Sequence, residues 1–405
     1  MAVGADNFPE MAVIEGVRIG TACAGVKKPG RKDLVLFELS AQSRAAAVFT
    51  RNAFCAAPVT LAKQHLSEGS PRYLLINTGN ANAGTGEQGM KDAVACCNSV
   101  AEHCGVSLSQ VLPFSTGVIG EKLPVETIVR AIPQVYSALS ENGWADAAEG
   151  IMTTDTRPKG ATASFDYQGA RVNVTGISKG SGMICPNMAT MLAFVATDVD
   201  VPQDMLQELV SEASEKSFNR ITVDGDTSTN DACVLVATGA SAVPAVIANS
   251  ELHDALKAAL IQVFRELAHA IVRDGEGATK FVTVTVEEAG STDEALQVAY
   301  AIAHSPLTKT ALFASDPNWG RILAAVGRAG LADLDVSRIS IYLDQVCIVE
   351  QGGVAASYTE AQGQAVMNQE NILIRVVLQR GAASETVWTT DLSHDYVSIN
   401  ADYRS

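Results

Sequence analysis

The chain has 405 residues, of which 47% are hydrophobic and 18% are charged, and it carries a formal net charge of −16. A chain of this length and composition can bury more than one hydrophobic core, so it needs neither disulfides nor metals to fold. The excess of acidic residues disfavours nucleic acids and anionic membranes as partners. Small molecules and other copies of the chain are therefore the expected partners.

The cysteines, the histidines and the N-terminal segment bear on the cellular compartment. Cys96 and Cys97 are adjacent, the other cysteines are scattered singly, and neither they nor the six histidines have the spacing of a metal site or a disulfide ladder. The first residues lack the basic start and apolar core of a signal peptide, and no later window is apolar enough to span a bilayer. The sequence predicts a cytoplasmic protein with reduced thiols and no metal.

The first third of the chain alternates short apolar runs with helical stretches. The runs are bounded by Gly, Pro, Asn or Ser, as strands are, and lie at 33–40, 45–50, 73–77 and 111–116. Helical stretches are predicted at about 88–103 and at 125–139. This alternation predicts an α/β fold of layered sheets and helices.

The middle of the chain passes from a hairpin pattern through a loop into a core strand. Residues 161–174 alternate as in a hairpin, 176–187 are crowded with Gly, Ser and Pro, and 190–199 form an apolar run. The loop therefore ends where a buried strand begins, at Thr190.

The remainder of the chain mixes helices and strands without a repeat or a linker. Helices are predicted at 202–216, 251–273 and 291–304, the last with a Ser-x-x-Glu start, and strands at 281–289, 339–350, 372–380 and 385–392. We expect the two halves to be interleaved parts of one α/β body.

Thr190 follows Ala189 at the end of the glycine-rich loop. A threonine hydroxyl needs a base, and a freed α-amine on the same residue can supply it, because the pKa of such an amine is about 7.7 to 8. Freeing that amine requires cleavage of the Ala189–Thr190 bond, with the small Ala189 leaving its carbonyl open to attack. From local chemistry alone, a strand that happens to start with Thr after a surface loop is the more common situation.

The segment 179–192, KGSGMICPNMATML, resembles the processing segment of the ornithine acetyltransferase family, the glutamate N-acetyltransferases of arginine biosynthesis. In that family cleavage falls between Ala and Thr of PNMATML. Further blocks resemble the family in the same order: NTGNANAGTG, PFSTGVIG, IMTTDT, TVDGDTSTND, IVRDGEGATKF, SDPNWGR and YVSINADYRS. Together they cover the chain from end to end.

The resemblance implies self-cleavage into an α chain, 1–189, and a β chain, 190–405, whose first residue Thr190 is the nucleophile. The implied reaction moves the acetyl group from N2-acetylornithine to L-glutamate through an acyl-enzyme, in a ping-pong pattern. Some members also use acetyl-coenzyme A as donor, and no residue decides whether this chain does. The implied assembly is a heterotetramer of two α and two β chains, with no cofactor.

The same resemblance implies the residues that support the nucleophile. Thr116 and Gly117, at the end of a predicted strand, match the oxyanion hole, where an ordinary strand-terminal turn is the alternative. Substrate contacts are implied at Thr153, Lys179, Glu276, Asn400 and Ser405, beside Thr190 itself. Without the resemblance, the ordinary interpretation of Lys179 would be a solvated lysine, and that of Thr153 and Glu276 would be polar residues of loops or helix ends. The C-terminal residues would be expected to fray.

An acidic segment, 222–231, invites interpretation as a calcium loop. Asp224, Asp226 and Ser228 have suitable spacing, but position six is Thr229 and not Gly, and position twelve is not Glu. We expect Asp224 and Asp231 instead to brace loops around the active site.

Three other functions remain as alternatives. Gly84, Gly86 and Gly89 have the spacing of a dinucleotide fingerprint, although the preceding strand is too distant and no acidic residue follows at the next strand. A relative that uses a freed amine to hydrolyse peptides is a second alternative, in which the nucleophile is typically serine. A non-catalytic binding or scaffolding protein is the third.

Overall fold

The computed structural model describes residues 2–5, 7–27, 29–185 and 191–402. The chain divides into two compact units, a larger unit of Asn7–Asn219 and Asp226–Ile271 and a smaller unit of Met1–Asp6, Arg220–Gly225 and Val272–Ser405. Both contain sheets and helices, so the predicted α/β class of layered sheets and helices is confirmed. Across the described residues, no helix is long and apolar enough to cross a membrane.

The larger unit contains two sheets. The first has the strand order β1-β2-β4-β5 and the second β3-β9-β8-β7-β6. The strands are β1 (Val17–Ala22), β2 (Leu34–Leu39), β3 (Arg44–Phe49), β4 (Tyr73–Asn80), β5 (Val111–Val118), β6 (Lys159–Tyr167), β7 (Ala170–Lys179), β8 (Leu192–Thr197) and β9 (Ala232–Ala237). The helices are α1 (Ala57–Glu68), α2 (Gly86–Cys104), α3 (Val125–Ser137), α4 (Trp144–Gly150), α5 (Gln203–Glu215) and α6 (Glu251–Arg273), whose last two residues are counted with the smaller unit.

The two sheets of the larger unit share one core. Phe37 on β2 and Phe114 on β5 pack against Phe194 on β8, with ring centroids 5.3 and 5.1 Å apart. On its other face the first sheet buries side chains of α2 and α3, and α5 packs on β3 and β9 of the second sheet. Apolar burial on both faces explains why β8 and β9 are continuous apolar runs without alternation.

The second sheet draws strands from both sides of the predicted cleavage bond. β3, β6 and β7 precede residue 189, whereas β8 and β9 follow residue 190. β8 pairs with β7 on one side and β9 pairs with β3 on the other. Segments from both sides of that bond are thus neighbours in one hydrogen-bonded sheet.

The smaller unit contains a sheet of order β13-β12-β11-β14-β10-β15 around its own core. Its strands are β10 (Phe281–Ala289), β11 (Ser340–Leu343), β12 (Val346–Glu350), β13 (Gly353–Val354), β14 (Asn371–Val377) and β15 (Ala383–Thr390). Its helices are α7 (Thr292–Ala303), α8 (Pro306–Phe313), α9 (Trp319–Gly327), α10 (Glu360–Met367) and α11 (His394–Ala401).

Several predicted elements are confirmed with their local cause. The strand at 281–289 has the predicted bounds, and the Ser291 side chain caps α7 by accepting a hydrogen bond from the Glu294 N–H. The predicted hairpin is formed by β6 and β7, joined by Gln168 and Gly169 at positive φ.

One predicted strand is wrong. Residues 339–350 form a hairpin of β11 and β12, because Asp344 adopts a φ of 48° and turns the chain between two apolar runs. Aspartate tolerates this left-handed conformation better than most residues do. The elements that were not predicted from the sequence are β1, β9, β13, α1, α4 and the helices α8 to α11.

Candidate active site

Thr116 and Gly117 lie near the end of β5, beside an irregular stretch of β4. Gly117 has a φ of 136°, and a Cβ on it would lie 2.3 Å from the Gly79 carbonyl carbon. The parallel pairing shifts register between Gly79 and Asn80. Gly117 is therefore needed for the close approach of the β4 and β5 backbones, independently of any role of its N–H as an oxyanion donor.

A network of amide side chains fixes this strand end. The Ser115 hydroxyl donates to Asn77 Oδ1 at 2.6 Å. Asn230 Nδ2 donates to the carbonyls of Ala81 and Ser115, at 2.6 and 2.9 Å. Because these groups are buried and saturate one another, the backbone that presents Thr116 is held in one position.

The Thr116 side chain is buried, with 5% exposure. Its hydroxyl makes no hydrogen bond to the side chains or backbone of the described residues. A buried donor that no described residue engages is suited to stabilise a developing oxyanion.

A second cluster surrounds the buried carboxylate of Asp155. Lys159 Nζ lies 2.6 Å from Asp155 Oδ1, and the two side chains are 1% and 0% exposed. The Gly180 N–H also donates to Oδ1, at 2.7 Å, and the Thr153 N–H donates to Oδ2, at 2.9 Å. Asp155 thus ties the start of β6 to the loop that follows β7.

The charges in this cluster decide the ionisation of Asp155. Burial alone would raise the pKa of this carboxyl, but the ammonium groups of Lys159 and Lys179 and its hydrogen bonds outweigh burial and lower it. Lys179 Nζ also donates to Thr153 Oγ1, at 3.4 Å. The structure therefore brings together two of the predicted substrate contacts, Lys179 and Thr153.

Thr153 also faces an open cavity of about 500 Å³. The cavity is lined by Gly30, Arg31, Lys32, Glu149, Met152, Thr153, Asp155 and Pro158. Arg31 donates to the Met152 carbonyl at 2.7 Å, which holds the segment before Thr153. Thr153 is the one predicted site residue among the lining residues that the structure describes.

Asp231 lies directly before β9 and is buried, with 3% exposure. Its carboxyl accepts hydrogen bonds from Ser228 and from the Met191 N–H, and it interacts electrostatically with Lys179. Burial raises the pKa of Asp231 well above its ordinary range, against the opposing effect of Lys179. The sequence analysis expects Asp231 only to brace loops, and its interactions with Met191 and with the charge of Lys179 are evident only from the tertiary structure.

Glu276 and Asn400 meet in the smaller unit. Asn400 Nδ2 donates to Glu276 Oε2 at 2.7 Å, and Asn400 lies on α11. The Ser393 hydroxyl, which caps this helix, donates to the Gly277 carbonyl at 2.6 Å. The C-terminal segment up to Ala401 is consequently a helix anchored to the loop that carries Glu276.

Three predicted site residues lie outside the described residues, namely Ala189, Thr190 and Ser405. Asp224, the other expected brace, accepts a hydrogen bond from the Tyr396 hydroxyl at 3.3 Å in the smaller unit. In the part of the chain that the structure describes, no group of three or more His, Cys, Asp or Glu side chains is arranged to hold a metal ion.

The profile of the ArgJ family matches residues 18–405. Over 406 residues the chain is 59% identical to the arginine biosynthesis bifunctional protein ArgJ of Pseudomonas fluorescens (strain Pf0-1), covering 100% of both chains. The chain belongs to the ArgJ family.

Two solved structures of ArgJ relatives match part of the chain. A crystal structure of the arginine biosynthesis bifunctional protein ArgJ from Bacillus halodurans is 37% identical, covers 51% of this chain and 97% of its own, and has a TM-score of 0.49. The ornithine acetyltransferase of Mycobacterium tuberculosis, complexed with ornithine, is 31% identical, covers 45% and 98%, and has a TM-score of 0.40.

Membership of the ArgJ family confirms the reaction that was predicted from the sequence. The chain is a bifunctional enzyme of arginine biosynthesis, an ornithine acetyltransferase and glutamate N-acetyltransferase. This identification removes the non-catalytic and nicotinamide-dependent alternatives.

The glycines that suggested a dinucleotide fingerprint have a structural explanation in this ArgJ protein. A Cβ on Gly89 would lie 1.9 Å from Thr85 Oγ1, which donates to Asn82 Oδ1 at 2.9 Å. The glycine makes room for this hydrogen bond at the start of α2. Such a contact leaves no sequence signal beyond the glycine itself.

Proposed function

We propose that this ArgJ enzyme cleaves its own Ala189–Thr190 bond and then uses Thr190 as the acyl-carrying nucleophile. In the first stage Thr190 Oγ attacks the Ala189 carbonyl carbon, the C–N bond breaks, and an ester links the two residues. Water hydrolyses that ester, which leaves a carboxylate on Ala189 and a free hydroxyl and α-amine on Thr190.

The observation that carries the proposal is the arrangement of charged and polar groups around the described residues next to this bond. Leu192 pairs directly with Lys179 across β7 and β8, and Met191, 1% exposed, hydrogen-bonds to Asp231. A residue bonded to Met191 has its Cα about 3.8 Å from that of Met191. An ordinary surface loop does not lead into such a buried, charged neighbourhood.

In the second stage the Thr190 α-amine takes the proton of its own hydroxyl as Oγ attacks the acetyl carbonyl of N2-acetylornithine. The oxyanion that forms accepts hydrogen bonds from the Thr116 hydroxyl and from the Gly117 N–H. Ornithine leaves, glutamate enters, and its amine takes the acetyl group, so that one pocket serves both substrates in a ping-pong cycle.

Lys179 and Thr153 bind the α-carboxylate end that both substrates share. Their hydrogen bond to each other and the charge of Lys179 support this assignment. Glu276 and Asn400, already joined at 2.7 Å, and Ser405 contribute further substrate contacts. Glu276 is 8% exposed and suits an ammonium group such as the side chain of ornithine.

The cleaved fragments 1–189 and 190–405 stay associated, because β8 and β9 remain hydrogen-bonded between β7 and β3. Two such pairs form a heterotetramer in the cytoplasm. We extend the proposal to acetyl-coenzyme A as a further donor of the acetyl group for glutamate, and no cofactor is part of the proposal. Peptide hydrolysis, the remaining alternative, would transfer the acyl group to water.

The test is the intact mass of the purified protein under denaturing conditions, compared with that of Thr190→Ala. Two fragments ending and beginning at residues 189 and 190 are expected for the natural sequence, and one inactive chain for Thr190→Ala. A cleaved Thr190→Ala protein, or an active enzyme consisting of one continuous chain, would overturn the proposal.

The substrate part of the proposal has its own measurement. The enzyme is first acetylated with N-acetylornithine alone, whose acetyl group carries a label. It is then mixed with glutamate or with buffer, and the release of the labelled acetyl group from the enzyme is followed. Transfer to glutamate much faster than to water is expected, and equal rates would favour the hydrolase.

A further inference from the structure

Glu276 lies in the loop 274–280, which connects α6 to β10 in the smaller unit. It is 8% exposed, and among the described residues only the Asn400 amide donates a hydrogen bond to it, to Oε2 at 2.7 Å. Oε1 is therefore left for a ligand. A carboxylate in this position can distinguish the side-chain ammonium of ornithine from the side-chain carboxylate of glutamate, provided that the loop holds it in place.

The far end of this loop is held by the carboxylate of Asp391, which directly follows β15 and is 4% exposed. Its Oδ1 atom accepts hydrogen bonds from the N–H groups of Thr279 and Lys280, at 2.8 and 3.0 Å. Its Oδ2 atom accepts one from the Thr279 hydroxyl, at 2.5 Å. Hydrogen bonds to an ionised carboxylate are among the strong ones. Asp391 therefore fixes the backbone three residues after Glu276.

Lys309, on α8, holds the chain on both sides of Asp391. Its ammonium donates to the Thr389 hydroxyl at 3.1 Å and to the Thr390 carbonyl, and its own carbonyl accepts a hydrogen bond from the Leu392 N–H at 3.2 Å. Lys309 is 4% exposed. Burial lowers the pKa of Lys309 to about 8, against the charge of Asp391, which raises it. The ammonium is thus largely protonated at pH 7 and offsets the buried negative charge of Asp391.

The segment that follows Asp391 also contacts the loop. The Ser393 hydroxyl donates to the Gly277 carbonyl at 2.6 Å. Gly277 has a φ of 69°, and a Cβ on it would lie 2.5 Å from the backbone of α11. Asn400, on the same helix, donates to Glu276 itself. The loop is thus held at Glu276 and on its C-terminal side by one segment, 391–400, so the position of the Glu276 carboxylate depends on that segment.

We propose that Asp391 is a positioning residue that sets the preference of this enzyme for a substrate with a side-chain ammonium, by fixing Glu276. The inference rests on the proposed contact between Glu276 and ornithine. N2-acetylornithine carries that ammonium, whereas glutamate carries a carboxylate that Glu276 does not attract. Asp391 acts through Glu276 and not on the substrate, so its loss weakens the use of N2-acetylornithine and leaves the use of glutamate unchanged or improved.

The experiment measures kcat/KM for N2-acetylornithine and for glutamate in the natural enzyme, Asp391→Asn, Glu276→Gln and a control. The ratio of the two values does not depend on the fraction of folded enzyme, so a general loss of stability leaves it unchanged. Asp198→Asn is the matched control. Asp198 is 6% exposed and accepts hydrogen bonds from the N–H and the side-chain amide of Asn173, at 3.1 and 2.9 Å, but it lies after β8 in the larger unit.

Glu276→Gln is expected to lower the ratio of kcat/KM for N2-acetylornithine to that for glutamate by about 10- to 100-fold, the scale of a hydrogen bond to a charged group. Asp391→Asn is expected to lower it by about 10-fold or more, because a misplaced group loses much of its effect. Asp198→Asn should leave the ratio unchanged, and an equal fall in this control would overturn the inference.

The variants also separate the inference from the proposal on which it rests. A ratio that is unchanged in Asp391→Asn but lowered in Glu276→Gln would overturn the inference and leave the proposed role of Glu276 standing. A ratio that is unchanged in Glu276→Gln would remove both.

Thr279→Val tests the same contact with little risk to folding, because Thr279 is exposed and valine has nearly the same shape. The substitution removes the hydrogen bond of 2.5 Å to Asp391 Oδ2. The ratio is expected to fall by about 2- to 10-fold, as for the loss of one hydrogen bond. If Asp391→Asn does not fold, an unchanged ratio in Thr279→Val overturns the inference.

Discussion

Replacement of Asp155 by Asn tests whether the buried ion pair with Lys159 organises the larger unit. The two groups lie 2.6 Å apart with 0% and 1% of their side chains exposed. Removing the negative charge takes away the carboxylate that the buried Lys159 ammonium faces, which typically costs 3–5 kcal/mol, since breaking such a pair is far worse than replacing it whole. We expect the free energy of unfolding of Asp155→Asn to fall by about this amount.

The chain offers a matched exposed pair as control. Asp146 lies 2.6 Å from Lys32, with 61% and 32% of the side chains exposed, so water screens the interaction. Asp146→Asn is expected to cost about 1 kcal/mol or less. The double variant Asp155→Asn, Lys159→Met removes both buried charges and should recover part of the lost stability.

The assay is denaturant unfolding followed by circular dichroism and tryptophan fluorescence, with all variants prepared in the same processing state. If Asp155→Asn loses no more stability than Asp146→Asn, the pair is not the anchor that its burial and distance indicate. If the double variant is as unstable as Asp155→Asn, the loss does not come from the buried Lys159 ammonium.

Three further outcomes are expected. Thr116→Val, which removes one oxyanion donor and little volume, should lower kcat about 100- to 1,000-fold with KM changed much less, and a kcat within threefold of the natural enzyme would contradict the assignment. Gly117→Ala places a Cβ 2.3 Å from backbone at a φ of 136° and should yield little folded protein, whereas Gly69→Ala, at an extended φ of 164° with no atom within 4 Å, should fold normally by circular dichroism. The folded pKa of Asp155 lies below the unfolded value of about 3.9, so its contribution to stability is complete above that pH and is lost as pH falls through the folded value. The stability difference between the natural chain and Asp155→Asn should therefore stay constant from pH 5 to 8 and shrink on acidification. A difference that grows on acidification would contradict this sign.

Local sequence patterns were sufficient to predict helices and strands whose bounds are set by residues within or directly beside the element. The Ser291 hydroxyl caps α7 through a hydrogen bond three residues away, and the apolar alternation of 281–289 defines β10 with its observed bounds. The same approach failed at 339–350, where a two-residue turn at Asp344 is hidden inside one apolar run. A period-two pattern reports which side chains are apolar and not where the chain reverses.

The sequence by itself determined the α/β class, the family and its reaction, because the blocks that carry the family resemblance, such as residues 179–192, are contiguous along the chain. Only the tertiary structure decided which distant residues interact beside this segment. Asp155 joins Lys159 to the loop after β7, and Asp231 interacts with Met191 and with the charge of Lys179, which lie about 40 to 50 residues away along the chain. Contacts between residues so far apart arise from sheet order and burial, and these set the ionisation of each group in ways that no local pattern records.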